Sequence, residues 1–187
     1  MITRSLIIKV DSEINLKQLE QSDSKDIFET IDSQRLYLGR WLPFVEKTKA
    51  LSDTEGFVKS IVNAPGESFE YVFTIRKNNE FVGLIGFRGT DRINNKTEIG
   101  YWLSELYQKQ GIVTKSVNQL CDFAFDEQGI NRVQIKCAVK NQASNNIPVR
   151  LGFKFEGIER SGELLSGNAY TDLNVYSKLK GDRRSGN

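Results

Sequence analysis

The sequence predicts an α+β domain with a mixed, mainly antiparallel sheet flanked by helices. Three observations carry that reading. Apolar runs come in pairs joined by short polar turns, the pattern of antiparallel hairpins. Between those hairpins the order changes to strand, long helix, strand and short helix, which calls for a mixed sheet. The 187 residues are 39% hydrophobic and 27% charged, enough for one globular domain with a full core.

Taken in order, residues 2–10 and 14–19 read as two short strands around an Asp11-Ser12-Glu13 turn. Ser22 or Ser24 can cap a helix to about Ile31, with Ile27, Phe28 and Ile31 on one face. Ser33 is the expected cap of a further short helix through Leu36 and Leu38. Residues 39–44 follow, aromatic and interrupted by Pro43, where neither helix nor strand continues easily. Trp41 and Phe44 there either pack under the sheet or wall a substrate cleft. Ser52 or Asp53 caps a helix to about Val62, with Phe57, Val58 and Ile61 inward, and Ala64-Pro65-Gly66 ends it. Residues 71–76 and 81–88 form a hairpin across 77–80. Gly83, Gly86 and Gly89 mark bulges or close backbone approach. A polar turn, 90–96, leads onward.

The central unit spans 98–125. Its strand is followed by a polar loop, 104–110, and Gly111 opens a helix. Val113, Val117, Leu120, Cys121, Ala124 and Phe125 draw one apolar stripe along that helix. Its first N–H groups lack internal partners and sit at the positive end of the peptide dipoles. That makes a site for a phosphate or pyrophosphate, or else simply a glycine turn. Glu127-Gln128-Gly129 stops the helix. Residues 132–139 form a strand, 141–151 a short helix closed by Gly152, and 153–165 with 170–179 a terminal hairpin.

Composition excludes several classes. Net charge is +2, from 26 basic and 24 acidic residues, so no basic face for nucleic acid is expected. No apolar run reaches the roughly 20 residues of a membrane span, and no signal peptide precedes the first strand. Cys121 and Cys137 read as small core residues in a reducing compartment, so a cytoplasmic protein is expected. The expected domain is 1–180, with 181–187 a basic, disordered tail. Histidine is absent. That rules out Ser-His-Asp and Cys-His catalysis and imidazole zinc sites, and two cysteines cannot build an all-cysteine site. No metal is expected, and proton transfer falls to Asp, Glu, Lys, Tyr, Ser, Cys or water.

Six segments taken together resemble a known family. They are Glu98-Ile99-Gly100-Tyr101-Trp102-Leu103, Gln108-Lys109-Gln110-Gly111-Ile112-Val113-Thr114, Asn131-Arg132-Val133, Asn141-Gln142-Ala143-Ser144-Asn145, Leu151-Gly152-Phe153 and Glu156-Gly157. They resemble the GNAT acetyltransferases, and most closely the branch that acetylates N-terminal amines of ribosomal proteins. The last hairpin, 163–172, is similar to that branch as well. The resemblance implies the GNAT fold, its sheet splayed at the cofactor site, and acetyl-CoA as cofactor. It implies that Gln108, Lys109, Gln110, Gly111, Ile112, Val113 and Thr114 hold the pyrophosphate through backbone amides. Trp102, Leu103, Asn141 and Asn145 would border the pantetheine arm, which lies in the gap like an added strand. Asn141 is equally a helix cap. Trp41, Phe44, Tyr101 and Tyr170 are the expected acceptor-side residues. Two departures stand out: Lys109 where the branch often has Gly, and Val113 where small residues are common.

Acetyl transfer needs a neutral amine, a stabilised carbonyl oxygen and a proton or hydrogen bond for the leaving thiolate. An α-amine of pKa about 8 needs only a modest base, whereas a lysine at about 10.4 is harder. By resemblance Glu163 is the base, directly or through water; Glu98 and Glu159 are alternatives. Many GNAT enzymes use a Tyr five residues before the Phe of the Leu-Gly-Phe turn, and Pro148 stands there. Ser144 then becomes the implied donor, unless it only caps the helix. The expected acceptor is a ribosomal-protein N-terminus. A small amine (polyamine or antibiotic) and a non-catalytic acyl-CoA-binding regulator are the alternatives, and a homodimer is left open.

Overall fold

The computed structural model describes residues 5–64 and 71–185. Among them, eight strands form one sheet in the order β1-β2-β3-β4-β5-β6-β8-β7. The strands are β1 Ile7–Lys9, β2 Ile14–Gln18, β3 Val72–Lys77, β4 Glu80–Asp91, β5 Lys96–Leu103, β6 Arg132–Ala138, β7 Lys154–Leu165 and β8 Ala169–Leu179. The helices are α1 Ser24–Ser33, α2 Arg35–Leu38, α3 Phe44–Lys47, α4 Leu51–Val62, α5 Ile112–Asp122 and α6 Gln142–Arg150. Neighbouring strands are antiparallel except β5 and β6. The helical crossover through α5 returns the chain in the same direction, which a tight turn cannot do.

Two cores lie on the two faces of the sheet. One packs Phe73, Ile75, Ile85 and Ile99 against Val113, Val117 and Leu120 of α5. The other packs Phe81, Leu84 and Trp102 against Ile27 and Ile31 of α1 and Val58 of α4. Because side chains alternate along a strand, β5 sends Ile99, Tyr101 and Leu103 to the α5 face and Trp102 to the other. The predicted α5 stripe is buried as expected, and its last residues, Ala124 and Phe125, fall in a widened π turn, Phe123–Glu127. Gly83 and Gly86 do mark close approach. A Cβ would stand 2.3 Å from the Trp102 carbonyl oxygen at the first and 2.7 Å from that of Tyr71 at the second. The β3–β4 turn is made by Asn78 and Asn79 at φ 50° and 68°, which asparagine tolerates.

Several caps differ from expectation. Ahead of α1, the Asp23 carboxylate accepts the Glu20 N–H at 2.9 Å, while the Ser24 hydroxyl donates backward to the Gln21 carbonyl. Ser33 lies inside the last turn of α1, its hydroxyl donating to the Glu29 carbonyl, so it caps nothing, and Leu36 of α2 is 97% exposed. Asp53 reaches back to the Lys49 and Ala50 N–H groups at 2.8 and 2.9 Å. Phe57 of α4 is exposed rather than inward. Pro65, Gly66 and residues 2–4 of the first predicted strand lie outside the described residues. The basic tail is not wholly frayed. Lys180–Ser185 forms a 3₁₀ segment in which Lys180 Nζ donates to the Phe125 carbonyl and Arg183 pairs with Asp126 at 2.8 Å. Its charges find the acidic end of α5. Among the described residues, no helix is long and apolar enough to cross a membrane.

Candidate active site

The site begins where the sheet comes apart. β5 and β6 pair only at Lys96↔Arg132, Thr97↔Val133 and Glu98↔Gln134. Beyond Glu98, β5 stays zipped to β4 as far as Leu103, and β6 stays zipped to β8 as far as Ala138. The backbone edges of 99–103 and 135–138 therefore diverge, leaving polar groups that an extended ligand could pair with.

At the open end, the loop into α5 is held from two sides. The Gln34 side chain donates to Ser104 Oγ at 2.9 Å and accepts the Glu105 N–H at 2.8 Å. The Gln108 side chain hydrogen-bonds the Tyr37 hydroxyl, and Lys77 Nζ donates to Gln110 Oε1 at 2.6 Å. Lys109 and Gly111 both adopt left-handed backbone, φ 61° and 72°. They turn the chain into α5, whose first helical bond is Lys115 N–H to the Gly111 carbonyl. The amides of Ile112, Val113 and Thr114 precede that bond and have no partner in the helix. A Cβ on Gly111 would meet nothing within 4 Å, so space lies open beside it. Glycine suits the position through φ, not crowding. The side chains of Ile112 and Val113 are buried in the core. Val113 therefore leaves only its backbone available to a ligand at this turn. Exposed Lys109 occupies a left-handed conformation that glycine adopts more readily. This cradle fits a pyrophosphate.

The wall on the α5 face is made by β5, β6 and α6. Asn141 caps α6, its Oδ1 accepting the Ser144 N–H at 3.2 Å, and its Nδ2 makes no hydrogen bond among the described residues. Asn145, expected to touch the cofactor, is 5% exposed and fully engaged. Its Nδ2 donates to the Ala138 and Asn141 carbonyls, and its Oδ1 accepts from Asn174 and the Tyr176 hydroxyl. That exhausts an amide, so Asn145 clamps α6 to β6 and β8 instead of contacting a ligand. Trp102 likewise turns away. Its ring packs edge-on against Phe81 at 5.8 Å, and only its backbone can face the gap. Half-buried Ser144 makes two contacts: its Oγ donates to Cys137 Sγ at 3.1 Å and lies 3.1 Å from the Tyr101 hydroxyl. Tyr101, expected on the acceptor side, therefore belongs to this face, as strand alternation requires. Burial pushes its phenol well above the usual range, and burial also raises the Cys137 thiol.

The opposite face carries the carboxylates. Glu98 pairs with Arg88 at 2.8 Å, and Lys136 bridges from Glu159 at 2.6 Å to Glu98 at 4.0 Å. Glu163 lies opposite Thr171, which shares its face of β8 with Val175, the partner of Lys136. Of the three candidate bases, Glu163 holds no ion pair among the described residues. Burial raises its pKa; Arg88 opposes that and Glu98 adds to it. Trp41, half-buried with the Arg40 guanidinium 5.1 Å over its ring, and Phe44, 40% exposed, join neither core. Packing under the sheet is thus excluded for both. Tyr170 is 68% exposed near the tip of the last hairpin. Nothing in the sequence signalled that Gln34, Cys137 and Arg88 would contact Ser104, Ser144 and Glu98 at the candidate site. Only the alternation of β5 could have placed Tyr101 and Glu98 on opposite faces.

The acetyltransferase (GNAT) domain model matches residues 13–154. The chain is 30% identical to the ribosomal-protein-serine acetyltransferase of Escherichia coli (strain K12) over 172 residues, 92% of this chain and 96% of that one. It is 32% identical to the putative ribosomal N-acetyltransferase YdaF of Bacillus subtilis (strain 168), over 92% and 94% of the two chains. Among solved structures, RimL, a ribosomal L7/L12 alpha-N-protein acetyltransferase in complex with coenzyme A, superposes with a TM-score of 0.88 at 29% identity, covering 93% and 98%. The microcin C7 self-immunity acetyltransferase MccE, in complex with acetyl-CoA and AMP, gives 0.84 at 29%, covering 91% and 94%. The splayed parallel pair, the left-handed turn before α5 and these matches agree that the chain belongs to the GNAT acetyltransferase family.

Proposed function

We propose that this chain transfers the acetyl group of acetyl-CoA to a protein N-terminal α-amine of the ribosomal-protein type, by direct attack without a covalent enzyme intermediate. The observation that carries this reading is the division of the gap. A hydroxyl wall, Tyr101 and Ser144, lines one face, and Glu163, a carboxylate with no ion pair among the described residues, stands on the other. Acetyl-CoA supplies an activated thioester carbon. The amides of Ile112 to Thr114, the free edge of 99–103 and Asn141 Nδ2 are the groups that hold it. Glu163 takes the proton of the attacking amine. Its raised pKa moves it toward the range where it matches an α-amine of pKa about 8. Ser144 Oγ offers a proton or hydrogen bond on the sulfur side. The relatives named for ribosomal proteins support the acceptor class.

A second reading is a small amine in place of a protein terminus, and the likeness to MccE, solved with acetyl-CoA and the small molecule AMP, supports testing it. One assay separates them. Purified protein is mixed with acetyl-CoA and, in parallel, with peptides beginning Ser, Ala or Met and with polyamines, and thiol release is followed. Turnover on peptides alone supports the first reading, and on small amines alone the second. CoA binding with no turnover on any amine leaves a binding protein. Glu163→Gln is expected to lower kcat by about a hundredfold or more, with little change in KM for acetyl-CoA. A wild-type rate would remove Glu163 from the mechanism.

A further inference from the structure

The row of polar atoms on the α5 face contains more than the reaction has used. The Tyr101 hydroxyl reaches both the carbonyl of Ser144, at 3.2 Å, and its Oγ, at 3.1 Å. Ser144 Oγ in turn donates to a sulfur, Cys137 Sγ, at 3.1 Å. Tyr101 comes from β5 and Cys137 from β6, the two strands that part company at the gap, and Ser144 comes from the first turn of α6.

We propose that Tyr101 is a positioning residue for acetyl transfer, donating its hydroxyl proton into Ser144 Oγ so that the serine proton is aimed at sulfur. This rests on the transfer reaction and on the role of Ser144 given above. The chemistry is that of a hydroxyl chain. A serine oxygen that accepts one hydrogen bond donates a stronger one, because each bond polarises the next in a low-dielectric site. With Tyr101 donating to Ser144 Oγ, the serine keeps its own proton for a sulfur acceptor, and in this structure Cys137 Sγ, 3.1 Å away, is that acceptor. As the C–S bond breaks its electron pair goes to sulfur, and the hydrogen bond from Ser144 stabilises the charge that develops there. The amine's proton goes to Glu163 and the sulfur leaves as a thiolate held by the Ser144 hydrogen bond; the thiolate then takes a proton from water and Glu163 gives one back to water, so the balance closes without another reactant. Burial keeps the Tyr101 phenol protonated through neutral pH, so its donation is constant there.

The test is a double-mutant cycle of Tyr101→Phe and Ser144→Ala, read as kcat, KM for acetyl-CoA and the Kd of CoA alone. Tyr101→Phe keeps the ring and is expected to lower kcat about tenfold, the size of one charge-assisted hydrogen bond, with CoA affinity within about twofold. In the Ser144→Ala background the same change should have no further effect. An unchanged kcat in Tyr101→Phe overturns the proposal. So does an equal loss with and without Ser144, which would mean that the phenol works through something else. A parallel loss of CoA affinity and thermal stability would reduce Tyr101 to a packing role and also overturn it. Failure of the reaction itself looks different, since wild-type protein would then turn over no amine at all.

Discussion

Asp23 is almost fully buried and performs two tasks. One oxygen meets Arg76 at 2.6 Å, and the other accepts the Glu20 N–H at 2.9 Å ahead of α1. Lys17 stands 3.7 Å away, and Arg76 also reaches Asp26 at 3.0 Å. Removing one partner of a buried pair leaves the other charge stranded, which usually costs about 3–5 kcal/mol. Asp23→Ala is therefore expected to lower the free energy of unfolding by about that much in urea titration. A loss below about 1 kcal/mol would show that Asp26 and water suffice for Arg76. Nothing local in the sequence announced this. Asp23 looks like any polar residue before a helix, and its partner lies 53 positions away on β3. The engagement of the Asn145 amide is equally invisible locally, since Asn174 and Tyr176 arrive from β8 to reach it.

Between residue and sheet lies the turn into α5. Gly111 was readable as special from its place between a polar loop and an apolar stripe. Its φ of 72° supplies the reason. Gly111→Ala is expected to cost about 1 kcal/mol through left-handed strain and to weaken CoA binding as the amides shift. Lys109→Gly, at φ 61°, removes such strain and should leave stability equal or higher. Thermal melts and calorimetric titration with CoA check both. An alanine variant that melts and binds like wild type would mean the loop relaxes to another path at no cost. The α5 stripe was legible because a period near 3.6 is a local property. The start of α2 was not, because a serine that can cap can equally close the preceding turn, as Ser33 does.

Across the whole molecule, two ion pairs tie distant elements together. Asp11 in the β1–β2 turn meets Lys115 of α5 at 2.8 Å, which helps hold its pKa at about 2. Arg132 of β6 and Ser177 of β8 hold Glu156 of edge strand β7 at about 2. Both folded values lie below the unfolded ones of about 4. The sign is therefore that of depressed carboxylates: their stabilisation is present above about pH 4.5 and is lost as pH falls toward about 2. Stability measured by denaturant titration should be level between about pH 7 and 5 and decline below that. An Asp11→Asn, Glu156→Gln double variant should show a shallower decline. A curve as steep as wild type would assign acid unfolding to other groups.

What the sequence determined by itself is the order of strands and helices apart from α3, the buried stripe of α5, the glycine turn before it and, through its ordered motifs, the family. These are properties of near neighbours, set by side-chain period and by backbone angles a residue can adopt. Tertiary structure alone decided which carboxylate stays unpaired, which asparagine is exhausted and which hydroxyls meet across the gap. Those outcomes depend on β4 to β8 being brought side by side, where Arg88 takes Glu98, Lys136 takes Glu159 and Glu163 is left without an ion pair among the described residues. Charge pairing and hydrogen-bond saturation fall off within a few ångströms, so they follow spatial neighbours that no spacing along the chain encodes.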